Sequence, residues 1–142
     1  MSQLRLRIIT PKKTVFEQEI NSITAPASDG EVTILPGHMP LFSLLTEGVV
    51  TIRTEGDENY FSIGGGYLET NGKAVNLLVS RAYGQDQIDE AEITKAKAHA
   101  EQLIKEAPNE AARHEAMMQL RRSLIDLKVL SKVKKRKNFH TQ

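Results

Sequence analysis

The side chains able to do chemistry in this 142-residue chain are few and scattered. His38, with Asp29 or Glu31 as an orienting carboxylate, would be the base of a small hydrolase. That chemistry needs a nucleophile within hydrogen-bond reach of the base and a concave site to hold a substrate. No Ser, Cys or carboxylate stands at a diagnostic spacing from His38, and His99, His114 and His140 are dispersed. His38 therefore reads as a loop histidine that makes a hydrogen bond or meets a partner. Gly64-Gly65-Gly66 invites comparison with a phosphate cradle, but that pattern needs a lysine after the loop and a helix opening from it. Tyr67-Leu68-Glu69 follows instead and reads as a strand, so the glycines mark a bulge or a close backbone approach. The chain has no cysteine, which removes disulfide frameworks and thiolate metal sites.

Charge is the second chemical resource, and it is unevenly spread. Residues 1–87 carry seven basic and ten acidic side chains, residues 88–115 four and seven, and residues 116–142 eight and one. The cationic end comprises Arg121, Arg122, Lys128, Lys132, Lys134, Lys135, Arg136 and Lys137. Such a run is commonly a solvated helix face, and it also fits an acidic partner surface. No aromatic platform or groove-reading motif accompanies it, so nucleic acid is not expected as a partner.

The elements that must position these groups fall into two halves. All nine glycines lie between Gly30 and Gly84, and four of the five prolines lie at or before Pro40. Glycine serves turns and weakens helix interiors, so a turn-rich β half precedes a helical half. Leu4, Leu6 and Ile8 alternate with Arg5 and Arg7, which gives one apolar and one cationic face. Val32–Leu35 is a short β-prone run stopped by Pro36-Gly37. Val49–Ile52 and Tyr60–Ile63 flank Glu55-Gly56-Asp57 as a hairpin. Asn71-Gly72 separates Tyr67-Leu68 from Ala74–Val79, the strongest short-range hairpin signal present. Many short strands with frequent turns predict a β-sandwich or flattened barrel.

Two helices are expected next. Asp89 is placed to cap the first, with Glu92 reaching back, and the helix runs to about Glu106. Pro108 ends it and Asn109 caps the second, which runs to the early 130s. The first helix's stripe is Ile93, Ala96, Ala100, Leu103, Ile104 and Ala107; the second's is Ala116, Leu120, Leu124, Leu127 and Leu130. A two-residue link makes the helices an antiparallel pair or a sharp bend. The reading is thus α+β: a sandwich over 1–87, then a two-helix arm over 88–142. The start of the chain lacks the apolar run of a signal peptide, and no stretch is long enough to span a bilayer. The expectation is a soluble cytoplasmic protein, or one docked on a membrane complex through other proteins.

Several segments, in order, resemble the epsilon subunits of F-type ATP synthases. Ser28-Asp29-Gly30-Glu31-Val32-Thr33-Ile34-Leu35-Pro36-Gly37-His38-Met39-Pro40-Leu41 resembles that family's acidic Gly-Glu turn, short strand and Pro-Gly-His-x-Pro. Ile9-Thr10-Pro11 with Val15-Phe16, Gly64-Gly65-Gly66-Tyr67-Leu68-Glu69 and Ile88-Asp89-Glu90-Ala91 agree with it. The resemblance implies a non-catalytic rotor subunit on the cytoplasmic face of the energy-transducing membrane. Its sandwich would bind the gamma subunit and rest on the c-ring, with Glu31 and His38 toward the ring. Its helices would fold back or extend into the catalytic head and restrain ATP hydrolysis there. The basic residues Arg121, Arg122, Lys128 and Lys132 would meet an acidic segment of the catalytic beta subunit, with Arg122 and Lys128 central.

The resemblance breaks at one place. Members that bind ATP between the helices carry an arginine where this chain has Glu92, and Asp126 stands where another arginine would help. A carboxylate facing a triphosphate is repulsive, so tight ATP binding is not expected and no cofactor is implied. An adaptor that pairs a sandwich with a helical arm for another acidic protein is the alternative on the residues alone.

Overall fold

The structure is a computed structural model that describes residues 3–141, with side chains to residue 138. The chain divides into two compact units, residues 1–85 and 86–142; the sequence reading put its boundary after Gln87.

The first unit holds ten strands: β1 (Leu4–Ile9), β2 (Thr14–Ile20), β3 (Ser22–Ala27), β4 (Gly30–Ile34), β5 (Leu41–Leu45), β6 (Gly48–Thr54), β7 (Asp57–Ile63), β8 (Gly66–Thr70), β9 (Ala74–Val79) and β10 (Ala82–Gly84). They hydrogen-bond in the order β10-β7-β6-β3-β5-β8-β9-β1-β2, with β4 also on β3. All pairs are antiparallel except β1 with β9. The sheet folds over as a β-sandwich, and its inward side chains form one core. Leu4, Leu6, Ile8, Ile20, Ile23, Ile34, Ile52, Ile63, Leu68 and Leu77 are fully buried, and Phe16 meets Phe61 edge to face at 5.4 Å. The period-two alternation of β1 is kept: Leu4, Leu6 and Ile8 point in, and Arg5 and Arg7 point out.

The hairpins follow their turn residues. Gly56 takes φ 75° between β6 and β7, and Gly72 takes φ 89° between β8 and β9, a region that glycine enters without a Cβ penalty. Asn71 completes the second turn, its Oδ1 accepting from the amides of Lys73 and Ala74, both at 2.9 Å. Sequence reading did not identify β2, β3, β5 or β10 as strands.

The second unit follows a short 3-10 turn at Gln85–Gln87 and consists of α1 (Glu90–Glu106) and α2 (Glu110–Thr141). Asp89 caps α1, accepting from the amides of Ala91 at 2.9 Å and Glu92 at 3.2 Å. Glu92 is exposed and makes no reciprocal bond among the described residues, so the expected two-way box is one-way. Asn109 caps α2 by accepting from Ala112 N–H at 2.8 Å. The helices pack along small residues, with Ala100, Ala116 and Ser123 buried. α2 has 32 residues, well past the expected end. No glycine or proline follows Pro108 to stop it, and lysines near a helix C-terminus favour the negative end of its dipole. No helix is long and apolar enough to cross a membrane among the described residues.

Candidate docking surfaces

The outward face of β5, β8, β9 and β1 is divided by chemistry. Register places Leu44 opposite Tyr67, Tyr67 opposite Leu78, and Leu78 opposite Ile9. Side chains alternate along each strand, so these four stand on one face in a single cross-strand row. The next outward row is Phe42, Glu69, Asn76, Arg7 and Glu17. There Arg7 Nε–H donates to Asn76 Oδ1 at 3.1 Å, and Asn76 Nδ2–H donates to Glu69 Oε1 at 3.4 Å. Arg5 binds Glu17 at 3.0 Å and Glu19 at 3.6 Å beside it. This part of the face is solvated and internally paired.

The apolar row is different. Leu44 in it is 60% exposed, and Phe42, 61% exposed in the neighbouring row, stacks on Tyr67 with ring centroids 5.0 Å apart. The row runs into a depression of about 470 Å³ lined by Ile9, Pro11, Gly65, Gly66, Tyr67 and Leu78 among others. Gly65 and Gly66 line it, and Gly66 makes the close backbone approach that the sequence suggested. A Cβ on Gly66 would lie 2.0 Å from the Leu78 carbonyl oxygen, a backbone atom, so that position admits no side chain; one on Gly64 would meet Ser80 Oγ at 2.1 Å. Leu44 and Phe42 are exposed while Ile9, Tyr67 and Leu78 are half-buried, an apolar strip of the kind a partner surface can cover. Sequence analysis missed the row because its members come from four strands and meet only through register.

His38 follows β4 on the turn formed by Leu35–Pro40. Its N–H donates to Leu35 O at 3.0 Å, and its ring Nδ1 is 2.7 Å from Met39 O. A carbonyl only accepts, so Nδ1–H is the donor in this contact. Asp29 and Glu31 are exposed and make no contact with it among the described residues. The hydrolase pairing is therefore not assembled. Glu31 lies within β4 opposite Pro26, not on a turn as expected. Ala27, the next residue, pairs with Leu45, whereas the His38 turn is tied to Gly72 through the Gly37 N–H to Gly72 O bond of 2.9 Å. The two polar residues thus belong to different ends of β5. No group of three or more His, Asp or Glu is placed to hold a metal among the described residues.

On α2, Arg121, Lys128, Lys132 and Lys135 follow one another at seven, four and three residues, which makes one stripe. Met117 and Leu124, 45% and 47% exposed, lie on the same stripe. Arg122 does not. At 100° per residue it is turned about 120° from Lys128, so the two cannot both be central to one flat contact. Asp126 follows Arg122 by one turn, and its Oδ1 is buried without a hydrogen-bond partner. His140 lies outside the residues whose side chains are described.

Residues 3–85 match the family model of the ATP synthase delta/epsilon chain β-sandwich domain. The chain is similar to the ATP synthase epsilon chain of Psychrobacter cryohalolentis, 31% identical over 137 residues and covering 96% of this chain and 99% of that one. It is similar also to the ATP synthase epsilon chain of Desulforamulus reducens, at 35% over 124 residues, with 87% and 94% covered. Among solved structures it resembles a chain of the Euglena gracilis mitochondrial ATP synthase OSCP/F1/c-ring assembly. The TM-score is 0.76 at 23% identity, over 94% of this chain and 82% of that one, a likeness of fold.

Proposed function

The chain belongs to the ATP synthase epsilon-chain family, and from that premise we propose that it is a non-catalytic subunit of the central stalk that docks on the gamma subunit through its outer apolar row. The observation that carries this reading is the alignment of Leu44, Tyr67, Leu78 and Ile9 across four strands, with Phe42 stacked beside them. Full burial of a leucine or phenylalanine contributes about 1.5–3 kcal/mol. Two such side chains left more than half exposed, beside the aromatic ring of Tyr67, are apolar area that a partner can remove from water.

The rest of the subunit's work follows from the same premise. The sandwich rests on the c-ring through Glu31 and His38. Because these lie toward different ends of β5, they would touch the ring as two separate points. The helical pair regulates hydrolysis when its basic stripe, Arg121, Lys128 and Lys132, meets an acidic segment of the catalytic beta subunit. The protein thereby couples ring rotation to ATP synthesis as a peripheral component on the cytoplasmic face of the energy-transducing membrane. Glu92, exposed in the first turn of α1, is a carboxylate at the position where ATP-binding members of the family carry an arginine, which argues against tight ATP binding there.

The test is copurification with gamma. Leu44→Glu and Tyr67→Ala should each reduce gamma retention with the sandwich still folded by circular dichroism. Undiminished retention by both variants would contradict docking through this face.

A further inference from the structure

Leu44 and Tyr67 each lie within a few residues of a bend. β5 turns through Thr46-Glu47 into β6, and β7 reaches β8 through Gly64-Gly65. One side chain touches both bends. Arg81, in the link between β9 and β10, donates from Nη1 to Ser62 Oγ at 3.2 Å, and its Nη2 stands 3.7 Å from Glu47 Oε2. Its stem lies against Gly64, where a Cβ would be 3.1 Å from Arg81 Cγ. The backbones are tied as well: Gly64 N–H donates to Arg81 O and Ser80 N–H to Gly65 O, both at 3.0 Å.

This ion pair differs from the others in the sandwich. Its side chains are 15% and 20% exposed, against 47% and 44% for Arg5 and Glu17. Arg81 Nη2 is buried without a hydrogen-bond partner, so the Glu47 carboxylate is the charge that compensates it. Such a pair is weakly screened, and removing the guanidinium takes away both the charge facing Glu47 and the bond to Ser62.

We infer that Arg81 is a positioning residue for the docking row. Through Ser62 and Glu47 it fixes the β5–β6 and β7–β8 bends, and so sets the angle at which Leu44 and Tyr67 are presented to a partner. The inference rests on the docking reading above. An ion pair placed only for stability would leave the affinity of the folded protein unchanged.

Calorimetric titration with purified gamma subunit separates the two roles, at a temperature where circular dichroism shows each variant folded. Arg81→Met should weaken binding about tenfold, because it removes one member of a poorly solvated pair. Arg81→Lys, which keeps the charge without the fork, should recover part of that loss. The double variant Arg81→Met/Tyr67→Ala should lose little beyond Tyr67→Ala alone, because both changes act on one contact. Should Arg81→Met fail to fold, Ser62→Ala removes only the neutral bond and should weaken binding in the same direction. Weakened Tyr67→Ala with wild-type affinity for the Arg81 variants, or fully additive losses in the double variant, would overturn the inference. Wild-type affinity in Tyr67→Ala would remove the docking reading itself, and this inference with it.

Discussion

A Cβ placed on Gly72 would stand 2.5 Å from the carbonyl oxygen of His38. The β8–β9 turn and the turn that carries His38 are therefore in direct backbone contact, joined also by the Gly37 N–H to Gly72 O bond at 2.9 Å. Gly72 has φ 89°, so alanine there meets both an unfavourable backbone region and a fixed oxygen. Gly72→Ala should cost about 2–3 kcal/mol, the range for a strained backbone conformation. Urea unfolding would read this as a lower midpoint with an unchanged slope, and the His38 resonances should shift in the folded state.

Asp89 accepts from two amides that α1 cannot satisfy itself. Asp89→Ala should cost about 1 kcal/mol. Because Glu92 makes no reciprocal bond among the described residues, Glu92→Ala should cost a few tenths at most. Amide hydrogen exchange at Ala91 and Glu92 checks this directly: faster in Asp89→Ala, nearly unchanged at Ala91 in Glu92→Ala.

The Lys134–Glu90 pair, at 2.9 Å, bridges the end of α2 to the start of α1. Both side chains are more than half exposed, and exposed pairs are worth about 0–1 kcal/mol. Glu90→Gln should therefore leave helix-pair stability nearly unchanged, and added salt should erase any difference. Small-residue packing at Ala100 and Ala116 holds the pair instead. Ala116→Leu, which forces volume into a 2%-exposed site, should cost about 1–3 kcal/mol by overpacking.

The basic stripe makes a geometric prediction. Neutralising Arg121, Lys128 and Lys132 together to glutamine should release ATP hydrolysis by the assembled head, and the release should shrink as salt rises. Arg122→Gln should release less than Lys128→Gln, because Arg122 points about 120° away. Hydrolysis rates of the three reconstituted variants at two salt concentrations decide this.

What the sequence carried, and what it did not, follows from how local each signal is. The alternation of β1, the turns at Gly56 and Gly72, and the caps at Asp89 and Asn109 depend on residues a few positions apart. Those readings survive in the structure. β3 carries Pro26 and β5 carries Ser43 within short runs that show no clean alternation of apolar and polar residues, so their strand character comes from the strands they pair with. The docking row joins Ile9 to Leu78 and Leu44 to Tyr67, and the Arg81 clamp joins Glu47 to β10's approach. Both depend on strand order and register, which no single stretch of sequence encodes. The end of α2 was misjudged for a different reason: lysine-rich sequence carries helix propensity without an apolar stripe to reveal it.

The most direct test is ATP hydrolysis by the catalytic head reconstituted with gamma and either the full chain or a chain ending at Gln87. The account predicts that both forms stay bound to gamma through the sandwich and that only the full chain lowers the hydrolysis rate. Equal rates with both forms bound would contradict the regulatory role of the helical pair, and failure of both to bind gamma would contradict the account as a whole.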